Sequence, residues 1–147
     1  MYEKLIVAAA ALILSVSAFA DCTIAIKVGD SLAFDTSEIS VPSTCSEVTV
    51  TIEHTGTLPA QAMGHNWVLA ADADWEAVAS AGTSSGFEGN FFPAGDDRVI
   101  AATKLVGGGE SDSITFSTSG MDADASYSFF CSFPGHWSVM RGSFKII

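Results

Sequence analysis

The sequence predicts an all-β fold, a Greek-key antiparallel β-sandwich with one short helix. Three observations carry that expectation. Short stretches with apolar residues at every second position recur along the chain, Thr23–Val28 and Val48–His54 most clearly. Clusters of Gly, Ser, Asp and Pro separate them at close intervals and break extended structure. One segment alone, Asp72–Ala81, has the Ala- and Glu-rich composition of a helix, with an Asp to cap its start and Gly82 to stop it.

The elements follow in order. Ile24, Ile26 and Val28 share one face of a first strand, and Leu32, Phe34 and Ile39 continue the sheet signal. Val48, Val50 and Ile52 point inward from the next strand, which Thr55-Gly56-Thr57-Leu58-Pro59 ends. His65–Leu69 reads as a short buried strand ahead of the helix. Residues 82–97 are rich in Gly, Ser and Asp and read as a long surface excursion anchored by Phe87, Phe91 and Phe92. Val99–Leu105 resumes extended structure. Gly107-Gly108-Gly109-Glu110 is a turn; no Lys-Ser/Thr follows it, so it lacks the chemistry of a phosphate cradle. Ser113–Ser117, Tyr127–Cys131 and Gly142–Ile147 supply the last strands.

Residues 1–20 are expected to be a cleaved signal peptide. Lys4 gives a basic start, Leu5–Val16 is apolar apart from Ser15, and Ala18-Phe19-Ala20 offers small residues for cleavage after Ala20. The apolar stretch falls short of the roughly 20 residues that span a bilayer. What remains, residues 21–147, is one domain with no repeat and no linker, large enough for its own core. Formal charge is −11. Such a field disfavours nucleic acid and anionic lipid and favours a basic partner. Three cysteines in an exported chain leave one over when two bond. Pairing Cys22 with Cys45 is the economical choice, closing a loop of about 23 residues for ~3 kcal/mol; the residues alone leave the other two pairings open.

The carboxy-terminal run Cys131-Ser132-Phe133-Pro134-Gly135-His136-Trp137-Ser138-Val139-Met140 brings a thiol, an imidazole and a thioether together, and His65 lies far upstream in Met63-Gly64-His65-Asn66-Trp67. Two imidazoles, one thiolate and a weak thioether form the donor set of a mononuclear blue-copper electron-transfer site. Soft sulfur holds the reduced ion, and imidazole serves both oxidation states. Each residue has a blander reading: Cys131 as a core thiol, His65 as a hydrogen-bonded core residue, Met140 as packing. Their conjunction outweighs these, because the chain has only three histidines and two fall in these motifs.

The motifs resemble those of the azurins, bacterial periplasmic members of the cupredoxin (small blue-copper) family. The likeness runs through the Cys22–Cys45 pair, Leu58-Pro59, Met63–Leu69, Asp97–Ala101, Thr103–Leu105 and Phe129–His136, covering essentially all of Asp21–Ile147. It implies one copper ion with His65, Cys131 and His136 as equatorial ligands. Met140 would be a weak axial ligand, and the Gly64 carbonyl a long contact opposite. Asn66 would tie the His65 segment to the ligand loop, and the backbone N–H groups of Asn66 and Phe133 would hydrogen-bond the thiolate. Trp67 would pack in the core and His54 would lie near the metal but off it. The implied function is a monomeric periplasmic electron carrier, not an enzyme. It would exchange electrons with c-type cytochromes and periplasmic reductases through the edge of His136. Met63, Phe133, Pro134 and Val139, with Trp137 beside them, would form a small apolar docking patch. Trp137, Ala102 in place of a surface histidine, and the strongly acidic charge depart from the family pattern. They bear on partner choice rather than on the ligands.

Two other classes fit less well. An enzyme with Cys131 as nucleophile and His136 as base needs a third group to orient the base, and none is adjacent in sequence. A structural zinc site needs four firm ligands, and methionine is a poor one.

Overall fold

Residues 21–147 are described by a computed structural model; the expected signal peptide lies outside the described residues. Strand β1 spans Thr23–Val28, β2 Glu38–Val41, β3 Glu47–His54, β4 Val68–Ala71, β5 Ala101–Ala102, β6 Ser111–Ser117, β7 Tyr127–Phe130 and β8 Arg141–Ile146. They form two sheets, one in the order β1-β3-β6 and one in the order β2-β8-β7-β4-β5. The sandwich is the one expected, with one refinement. β1 runs parallel to β3 and β2 parallel to β8, while the remaining neighbours are antiparallel.

The main core lies between the sheets. Ile26, Val48, Val50 and Ile52 from the first sheet meet Leu69, Phe129, Phe144 and Ile146 from the second, with Trp67 among them. Period-two alternation is clean in β3, whose outward Thr49 and Thr51 hydroxyls bond Thr115 and Ser113 of β6 at 2.8 and 2.7 Å. β4 and β7 behave differently. All four residues of β7 are buried, because helix α2 (Trp75–Thr83) covers the outer face of the second sheet. Val68, Ala70 and Phe130 there pack on Val78 and Ala79 of the helix. An uninterrupted apolar run is what a strand buried on both faces shows.

The helix starts later and ends later than its composition suggests. Asp74 rather than Asp72 stands at the N-cap position, since Asp72 still belongs to the turn that leaves β4. Gly82 lies inside the helix instead of stopping it. A Cβ there would fall 2.0 Å from the Phe91 carbonyl oxygen, so glycine is required by close approach rather than by a cap. A second, four-residue helix, α1 (Ala60–Met63), was not apparent in the sequence. The 82–97 excursion folds back with Phe92 packed on the outer cluster of the second sheet and Phe91 against Phe133, and it contains two consecutive non-glycine residues with positive φ, Asn90 at 55° and Phe91 at 54°. Cys22 and Cys45 are disulfide-bonded and Cys131 is the free cysteine among the described residues.

Candidate metal centre

Cys131 immediately follows β7, and its position is set by that doubly buried strand. Phe133-Pro134-Gly135-His136 then forms a tight turn in which the His136 N–H donates to the Phe133 carbonyl at 2.9 Å. Pro and Gly stand at the two central positions, and Gly135 has φ of 83°, the combination a type II turn requires. The N–H of Met140 donates to the His136 carbonyl at 2.8 Å, and the N–H of Cys131 to the Met140 carbonyl at 3.1 Å. The loop therefore closes on itself, with all three donor-bearing residues pinned by main-chain bonds.

His65 arrives from the other side. It was expected at the start of a strand; it lies three residues before β4, in an isolated bridge to Val106 with bonds of 3.0 and 2.8 Å. Gly64 before it has no room for a side chain, since a Cβ would sit 2.4 Å from the Ala60 carbonyl oxygen. The His65 Nε2–H donates to the Gly29 carbonyl at 2.9 Å. That bond fixes the tautomer and leaves the Nδ1 lone pair free.

The three groups converge. Cys131 Sγ lies 3.8 Å from His65 Nδ1 and 3.7 Å from His136 Nδ1, and all three donor atoms fall within 4.8 Å of one another. For first-row metal bonds of about 2.0 Å to nitrogen and 2.3 Å to sulfur, a trigonal arrangement puts sulfur and nitrogen about 3.7 Å apart. The donor set and its spacing fit a single ion. Met140 is buried in the same core cluster as Cys131.

The surroundings favour a cation. Burial pushes the Cys131 thiol up to about 11, opposed by the backbone N–H groups of Asn66 and Phe133 directed at its sulfur. Burial, then the charge of His65, brings His136 down to about 4, and burial chiefly lowers His65. A thiolate is stable there only with positive charge beside it, and the imidazoles stay neutral and able to coordinate. These shifts predict a pH window for the metal-free protein. Below about 6.5 the unfolded chain takes up protons that folded His136 and His65 refuse, so stability declines as pH falls toward 4. Above about 9 the unfolded thiol ionises before the folded one, so stability also declines as pH rises toward 11. Urea midpoints of the metal-free protein across pH 4–10 should pass through a maximum between these limits.

Asn66 bonds the 131–140 loop and the long excursion. Its Oδ1 accepts the Ser132 N–H at 2.8 Å, and its Nδ2 donates to Ser132 Oγ and to the Asn90 carbonyl, both at 2.8 Å. The Asn90 amide oxygen in turn accepts the Leu105 N–H at 2.9 Å. Phe133 stacks on His136 with centroids 4.4 Å apart, and Phe91 meets Phe133 edge-on at 5.1 Å. His54 stacks on His65 at 5.2 Å with both ring nitrogens engaged, Nε2 to the Met63 carbonyl and Nδ1 to the Gly56 N–H. It sits beside the centre and outside the donor triad, as expected. Gly29, Ser132 and Asn90 were not legible in the sequence: each acts through contacts made only after folding, and none has a distinctive residue type.

Comparison with known proteins agrees. Residues 20–147 match the family described as copper binding proteins, plastocyanin/azurin family. The chain is 47% identical over 125 residues to azurin of Alcaligenes faecalis, covering 85% of this chain and 98% of that one. It is 45% identical over all 147 residues to azurin of Methylobacillus flagellatus, covering 99% of it. A solved azurin (Az-iso2) from Methylomonas sp. strain J superposes with a TM-score of 0.84 at 47% identity, covering 87% of this chain and 99% of the other. With sulfur and two imidazoles gathered at bonding distance for one ion, and with likeness extending over nearly the whole length of these relatives, this chain belongs to the plastocyanin/azurin family of copper-binding proteins.

Proposed function

We propose that this one-electron copper carrier holds its ion through His65, Cys131 and His136. Met140 would add a weak thioether donor and the Gly64 carbonyl a further, weaker oxygen. The observation that carries the reading is the convergence of Sγ and two Nδ1 atoms. Bound copper supplies the redox couple. The protein supplies a rigid frame, because His65 is anchored to Val106 and Gly29 while the other donors are fixed by the closed 131–140 loop. Little movement between oxidation states keeps the barrier to transfer low. Adding cupric ion to the metal-free protein should develop an intense blue thiolate-to-copper band that saturates at one ion per chain; a colourless titration refutes the reading.

Electrons pass through His136. Of the proposed metal-holding side chains it reaches the surface most, at 6% exposure against 1% for Met140 and 0% for His65 and Cys131. The edge is narrower than the sequence suggested. Around it, Val139 is 60% exposed, Pro134 is exposed and Met63 and Phe133 partly so. Trp137 is half-buried as well and packs on Trp75 of α2. A redox protein docks on this apolar rim in a small, transient contact. Partners are c-type cytochromes and periplasmic reductases, met after residues 1–20 direct export and are removed. Met63→Lys places a charge on the rim without touching a donor. It should slow electron exchange with a c-type cytochrome about tenfold in stopped-flow mixing and leave the absorption spectrum unchanged; an unchanged rate removes the patch from the mechanism.

A further inference from the structure

Trp75 opens α2 and is partly buried against the outer face of the second sheet. Its indole meets three groups from separate points of the chain. The Phe130 ring lies 5.9 Å away, the Trp137 ring stands edge-on at 6.0 Å, and the Arg141 guanidinium carbon sits 4.4 Å over the indole. What these three share is their place in the sequence. Phe130 precedes Cys131, Trp137 follows His136, and Arg141 follows Met140. One side chain therefore touches the immediate neighbour of every proposed donor in the carboxy-terminal run.

The arrangement follows from alternation. Cys131 and Met140 belong to the inner core, whereas Phe130 and Trp137 belong to the outer cluster under α2. Trp75 is itself held independently of the loop. Val78 and Ala79 anchor the helix on Val68 and Ala70, and Gly82 seats its far end against the Phe91 carbonyl. The loop is thus referenced to a fixed point outside the donor set. We propose that Trp75 is a positioning residue for the metal centre, holding Cys131, His136 and Met140 in place through the Phe130, Trp137 and Arg141 contacts. The inference rests on the copper reading above and names what sets the geometry of that site.

A residue that merely packs would lower stability and leave the donors alone, so the test reads the donors. Trp75→Leu, Trp75→Phe, Trp137→Leu and the double leucine variant are compared with the unaltered protein. In the metal-free state, the His136 ring proton–carbon signals should broaden in Trp75→Leu and Trp137→Leu and stay sharp in Trp75→Phe. Cupric affinity should fall about tenfold in Trp75→Leu, the scale at which supporting partners of metal ligands act. The copper hyperfine splitting should change with it, and Trp75→Phe should restore both. The double variant should lose no more than Trp75→Leu alone, because the Trp75–Trp137 contact that Trp137→Leu breaks is already gone in Trp75→Leu. Unaltered His136 line widths, affinity and hyperfine splitting beside a lowered melting temperature would overturn the proposal, as would fully additive losses. Should Trp75→Leu not fold, Trp137→Leu decides on the same line widths. If the unaltered protein gives no charge-transfer band, the copper reading has failed; the metal-free line widths still judge Trp75 separately.

Discussion

Replacing Cys131 by serine will abolish the intense visible absorption of the copper-loaded protein. Cys131 is the only free cysteine among the described residues, and its sulfur is the atom both imidazole nitrogens face. The absorption arises when an electron moves from a thiolate to the cupric ion, so it needs a sulfur–copper bond. A serine hydroxyl is harder, stays protonated in that buried place and gives the reduced ion no soft partner. Cupric affinity should fall by more than the about 10–100-fold that follows loss of a mere supporting partner. Visible spectra during cupric titration of the purified variant decide the matter. A blue product would mean that the buried thiol is only core packing. The disulfide gives an internal control: Cys22 and Cys45 are bonded to each other, so replacing that pair should lower stability and leave the colour.

Truncating Trp67 to alanine should lower the unfolding free energy by about 3–5 kcal/mol, the range for deleting a large buried aromatic. Trp67 is fully buried between the sheets, with Phe116 and Phe129 stacked 6.0 and 6.1 Å from it and Phe144 edge-on at 6.4 Å. Its indole N–H has no hydrogen-bond acceptor among the described residues. The side chain therefore contributes by packing alone, and its polar atom carries a desolvation cost. Trp67→Phe keeps a ring in the stack and removes that unpartnered donor, so it should cost well under half as much as alanine. Urea unfolding of the metal-free variants at neutral pH measures both. Equal losses would show that the rings beside Trp67 cannot close on a phenylalanine.

The sandwich was legible because β3 and its neighbours expose one face and alternate cleanly. The helix bounds were not, because Gly82 looks like a terminator and is instead a point of close approach to Phe91. β2 left only Ile39 as a hint; its four residues are a strand because β8 lies beside them in parallel. At the metal centre the donors stood out by chemical rarity, a lone thiol and two of three histidines. Their supports did not. Gly29 orients His65 across 36 positions of sequence and Asn90 reaches Asn66 across 24, distances over which no local pattern speaks.

The clasp between Asn66 and Asn90 also divides the long excursion into two kinds of chain. From Ser84 to Glu88 the loop reaches the copper-bearing segment only through its neighbours: the Gly86 and Phe87 carbonyls accept the Phe91 and Asn90 N–H groups at 3.0 and 2.9 Å, and the Phe87 ring meets Phe91 edge-on. From Asn90 to Phe92 the backbone is threaded through the clasp, the glycine seat in α2 and the Phe133 ring. One residue added or removed there would shift all three attachments at once. A tag, a dye or an electrode linker is therefore better carried on the exposed side chain of Ser84 or Glu88 than inserted into the backbone of this excursion.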